Sequence, residues 1–181
     1  MIPEFIDFCA ELFPCINPYT REQAKKAMTQ FEKTSVPALA KTSDSSSILE
    51  QGDIFSEIPF LYYDKDGAVK TIKRKAQLLS NTCDASRSDK LLFAALHPLK
   101  DIESNRSLMD GIVRNKKFSA FYLPDELLEH EYVDFELVNS IPRDVFHTLY
   151  DMQKVKRIAT LTLVGYYMFI CKMTVFYLRP E

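Results

Sequence analysis

Between Ile158 and Leu178 the chain carries a single charged side chain, Lys172. A run of that length and apolarity must be covered, either by lipid as a membrane span or by protein as part of a core or an interface. A lysine near the middle of a span costs about 2.5–3.5 kcal/mol on insertion scales. Thr160, Thr162 and Thr174 add polar groups with no lipid partner. The expectation is a final strand running into a buried helix, under the rest of the domain or in a dimer interface, and no membrane. At 181 residues, 46% of them hydrophobic, the chain can bury one full core without disulfides or metal. Cys9, Cys15, Cys83 and Cys171 are isolated from one another, with neither a CxxC pair nor the density of a secreted scaffold, which fits a reducing cytoplasm. MIPEFIDFCAELF at the start has no basic n-region and no small-residue cleavage site, so no signal peptide is expected.

Along the chain the periodicity changes twice. Ile2, Phe5, Ile6, Cys9, Leu12 and Phe13 recur at helical spacing until PCINP stops them, and Thr20 with Gln23 forms a capping box ahead of Ala24, Ala27, Met28 and Phe31. A serine-rich stretch then loses all period through Ser47. Residues 1–47 therefore read as a helical hairpin and linker, and 48–181 as the main domain. From Gly52 short β-rich runs follow one another, GDIFSEIPFLYY, KRKAQLLSN and DKLLFAALHPL, separated by DKDG and DASRSD. A surface helix over 101–115 and further strands in FSAFYLP, YVDFELV and VKRIATLTL complete an α+β chain whose middle, from about Gly52 to Arg157, is a small β-barrel.

The basic and acidic residues, 23 and 25, nearly cancel, so any anionic partner has to be met by a local patch. Lys65, Lys70, Lys73, Arg74 and Lys75 follow Tyr62 and Tyr63, a mixture that can hold a phosphate backbone and stack bases, or simply form a solvated hairpin. Arg114, Lys116 and Lys117 either extend that patch or cap the C-terminus of the surface helix. Ser80, Asn81, Thr82, Cys83 and Asp84 gather polar side chains where a buried strand ends, a place for functional groups or for a turn that bonds its own amides. Cys83 has no adjacent histidine to activate it. His97, His130 and His147 are far apart, and Glu126 with His130 stands alone at one helical turn, so no metal site is expected. The six acids between Asp125 and Glu136 would repel RNA and could face the basic patch of another subunit. No GxxxxGK[ST], GxGxxG or GxSxG occurs.

Taken together, Gly52-Asp53-Ile54-Phe55, Ala76-Gln77-Leu78-Leu79-Ser80-Asn81 and Leu92-Phe93-Ala94-Ala95-Leu96 resemble the opening strands of the PemK/MazF family of toxin ribonucleases, and Val155 to Ala159 with Leu161-Thr162 echo its last strand and closing helix. The resemblance covers about residues 52–165. It implies an SH3-like barrel with a C-terminal helix, usually dimeric, that cuts single-stranded RNA without metal or other cofactor and meets a protein antidote. It also implies roles. Lys75 stands where the family has a phosphate-binding arginine, keeping the charge but losing the two-pronged contact. His97 falls near the family's hydroxyl residue and offers an imidazole as acid or base. Ser80, Thr82 and Asp84 would be the polar support, with Lys70, Lys73, Arg74, Arg114, Lys116 and Lys117 along the RNA. Two functions follow as expectations: a divergent relative of these ribonucleases, with or without the catalysis, that binds RNA or a partner, and an adaptor or oligomer scaffold that works through the N-terminal hairpin and the apolar C-terminal helix.

Overall fold

The computed structural model describes residues 39–42, 48–123, 126–128 and 130–178. The expected N-terminal helical hairpin lies outside the described residues. What is described is an α+β fold built on one antiparallel sheet of seven strands: β1 Ala40–Thr42, β2 Ile54–Tyr63, β3 Val69–Leu78, β4 Lys90–Pro98, β5 Ala120–Tyr122, β6 Glu131–Pro142 and β7 Arg157–Leu161, ordered β1-β7-β2-β3-β4-β6-β5. Four helices accompany them: a single turn α1 Thr82–Ala85, then α2 Arg106–Val113, α3 Arg143–Asp151 and α4 Leu163–Leu178. Short 3-10 turns fall at Leu99–Ile102 and Glu126–Leu128, and the second lies against β1.

Both faces of the sheet are covered, and the alternation along each strand divides the residues between them. Ile54, Ala94, Leu96, Val133, Phe135, Ala159 and Leu161 face α4, whose Phe169 is fully buried among them. Phe55, Ile58, Phe60, Ala76, Leu78, Leu91, Phe93 and Ala95 face the other way, towards Phe146 of α3. Phe146 meets Phe55 edge-on at 5.1 Å and stacks on Phe93 at 5.3 Å, contacts worth about 0.5–1.5 kcal/mol each beyond burial. Phe55 and Ile58 share a face only because β2 is bulged between them, with Glu57 at φ 60°. Without the extra residue every side chain beyond it would change sides.

Two segments differ from the expectation. Residues 40–42, read as linker, form an edge strand on β7. Residues 143–151, which no strand or helix was expected to occupy, form α3: Pro142 sets the extended entry, and Asp144 accepts from the Val145 amide in the first turn. The end of the chain is as expected, strand β7 followed by helix α4. No helix among the described residues is long and apolar enough to cross a membrane. Lys172 turns its ammonium onto the carbonyls of Asn115 and Lys117, at 2.8 and 2.7 Å, and burial lowers its pKa.

Candidate functional site

The residues expected to act together are placed apart. β3 and β4 pair as Ala76↔Ala95, Gln77↔Ala94 and Leu78↔Phe93, and that register carried two residues further brings Arg74 level with His97. Ala76 and Ala95 belong to the α3 face, and by alternation so do Arg74 and His97. Lys75 points to the opposite face, where its ammonium meets Glu131 at 2.7 Å. Lys75 and His97 are thus separated by the sheet itself.

Ser80, Thr82 and Asp84 lie at the far end of the strands, where the two hydroxyls serve the backbone. Ser80 Oγ accepts from the Leu92 amide at 2.9 Å and Thr82 Oγ1 from the Gln51 amide at 3.0 Å. Asn81 caps α1 through the Cys83 amide. The carbonyl of Asp84 receives the amides of Arg87 and Ser88, and the Cys83 thiol is free and exposed. Of the basic residues, Lys70 pairs with Asp64, Lys73 with Glu57 and Arg114 with Asp110 one turn back in α2. Lys116 and Lys117 are exposed beyond the end of that helix.

A different cluster gathers around His97. Its ring stacks on Tyr132, the cross-strand partner in β6, with centroids 5.7 Å apart. Its Nε2 faces Asp134 Oδ2 at 3.7 Å, and Arg74 Nη1 faces Asp101 Oδ2 at the same distance. These are loose pairs, beyond hydrogen-bonding reach. Arg74 Nε and His97 Nε2 are both buried without a hydrogen-bond partner, an arrangement that is costly unless a ligand satisfies it. Burial pushes the pKa of His97 down and Arg74 adds to that, against an upward pull from Asp134 and Asp101, so the imidazole is neutral near pH 7 and can accept a proton. Burial, with Asp134 and Asp101 beside it, raises the phenol of Tyr132 and keeps it protonated. A guanidinium for a phosphate, a neutral imidazole as base and a phenol as donor are the chemical parts present. Arg74 was expected only as a backbone contact, and Asp101, Tyr132 and Asp134 not at all. The period of two that joins Arg74 to Ala76 and Leu78, and His97 to Phe93 and Ala95, is the signal that points to this face.

A second buried charge lies between the two ends of the sheet's connection. Asp53 accepts from the Glu50 amide and from Thr160 Oγ1, each at 2.9 Å, and Arg157 Nε approaches it at 3.2 Å. Among the described residues no group of three or more His, Cys, Asp or Glu is disposed to hold a metal ion.

No family model matches the chain. No protein of curated function matches it either. Among solved structures, the chain is similar to one titled as the crystal structure of MazE-MazF, form II, from Deinococcus radiodurans: 10% identity, TM-score 0.44, covering 75% of this chain and 100% of that one.

Proposed function

We propose that the chain is a divergent PemK/MazF-like protein that binds single-stranded RNA across the face of Arg74 and His97 and cleaves it without metal. The observation that carries the reading is the pair of buried nitrogens, Arg74 Nε and His97 Nε2, that lack partners on one face. A phosphodiester supplies an acceptor for the guanidinium, and the adjoining ribose 2′-hydroxyl supplies a donor for the imidazole nitrogen. In this scheme Arg74 binds the non-bridging oxygens and stabilises the phosphorane. His97 takes the proton of the 2′-hydroxyl as it attacks phosphorus, and Tyr132 is the nearby donor for the departing 5′-oxygen. The SH3-like closure of the barrel, a homodimer, a protein antidote and a cytoplasmic location belong to the same reading. A non-catalytic, partner-binding relative is the second reading, favoured by Asp101 and Asp134, whose carboxylates stand beside Arg74 and His97 and oppose an anionic substrate.

The test is cleavage of a single-stranded RNA oligonucleotide in the presence of a chelator. Arg74→Ala and His97→Ala are each expected to slow cleavage about 100-fold or more, while Lys75→Ala, on the other face, changes it by no more than about threefold. An inert wild type, or a Lys75→Ala loss equal to that of Arg74→Ala, decides for the second reading.

A further inference from the structure

An open groove of about 750 Å³ lies between α1, the start of α3 and the segment at Ile48 and Leu49. It is at the Lys90↔Pro142 end of the β4–β6 ladder, whereas His97↔Tyr132 is at the other end. Its apolar lining is Leu49 and Ala85, both buried, with the exposed Ile48 beside them, and its rim carries Arg87, Arg143 and His147. The volume is that of a small-molecule site.

The charges on the rim are what separate this groove from an ordinary surface fold. Arg74, Arg114 and Arg157 each face a carboxylate. Arg87 and Arg143 have no carboxylate partner among the described residues. Arg143 is nonetheless held in place, since Nη1 donates to the Ser86 carbonyl, which leaves the remaining donors of its fork for something else. The acid on the rim, Asp144, turns Oδ1 to the Val145 amide of its own helix. Two guanidiniums over an apolar floor match an anion with an apolar body, and the planar fork suits a phosphate better than a point charge would.

We propose that this groove binds a small organic phosphate monoester, its phosphate between Arg87 and Arg143 and its organic part on Ile48, Leu49 and Ala85. The site is independent of the RNA reading, because it lies at the opposite end of the β4–β6 ladder from His97 and shares no residue with the Arg74 and His97 cluster.

The experiment is calorimetric titration of the full chain with phenyl phosphate, and separately with inorganic phosphate. Saturable binding of phenyl phosphate is expected, about tenfold tighter than inorganic phosphate and weakened about tenfold by Arg87→Gln. Arg114→Gln should leave it unchanged. Arg87 makes no side-chain hydrogen bond or ion pair among the described residues, so its replacement tests the site without disturbing the Ser86 anchor. Four results overturn the proposal: no saturable binding at millimolar probe, binding indifferent to Arg87→Gln, equal affinity for the two probes, or loss of binding in Arg74→Ala, which would assign the phosphate to the other site.

Discussion

Two arginines paired with aspartates, Arg157 with Asp53 and Arg74 with Asp101, show opposite ways of holding a charge inside a protein. Asp53 is 0% exposed and saturated: an amide, a hydroxyl and a guanidinium all turn to it, and Arg157 in turn donates from Nη2 to the Ile48 carbonyl at 2.7 Å and lies over the Phe55 ring. Arg74 and its neighbours are only partly covered, 3.7 Å from their carboxylates, with nitrogens unanswered. The first arrangement leaves only Arg157 Nε without a hydrogen bond, 3.2 Å from the carboxylate it faces, and ties residues 48–53 to β7. The second leaves capacity, which is what a binding or catalytic group needs. A charged residue is therefore better judged by how completely it is satisfied than by how deeply it is buried.

The contrast can be broken by substitution. Asp53→Ala leaves Arg157 buried without its carboxylate, so a loss of about 3–5 kcal/mol is expected in urea unfolding; a loss below about 1 kcal/mol would mean the pair is not structural. Gly165→Ala should be next, at about 1–3 kcal/mol, because a Cβ there would lie 2.0 Å from the Leu39 carbonyl oxygen; an unchanged melting temperature would show that β1 is not docked as described. Arg74→Leu is expected to change stability by less than about 1 kcal/mol, and a larger loss would make the second pair structural like the first. The smallest effect is that of pH. Because His97 titrates below its ordinary 6.5 in the folded chain, the unfolded chain takes up the proton first as pH falls. Stability is complete above that value and declines below it, towards the folded pKa. Urea midpoints between pH 7.5 and about 5 should fall more for the wild type than for His97→Gln; parallel slopes would remove His97 from the titration.

Much of the sheet was legible from residues alone. Alternation and turn residues mark β2 and β4, and the switch from period two to an unbroken apolar run marks β7 followed by α4. The apolar helix needs no membrane because its inner side covers Ile54, Phe135 and Leu161 and its lysine reaches two carbonyls. What could not be read depends on partners distant in sequence. Ala40–Thr42 becomes a strand only because β7 offers an edge. Ser80 and Thr82 look like site residues because a hydroxyl that bonds a backbone amide is the same in sequence as one that bonds a substrate. Lys75 and Arg74 are neighbours of equal charge, and only the register with β4 tells which of them shares a face with His97.

Ile54 and Phe55 pair with Ala159 and Arg157, and Leu39 receives the amide of Thr162. During synthesis, then, the earliest strand of the sheet waits for a partner made more than a hundred residues later, and Phe169, which covers that face, later still. Such pairings close large loops before they are rewarded, so this sheet should complete slowly. Until α4 emerges, the strands it covers present a bare apolar surface to the ribosome exit and to whatever meets nascent chains there.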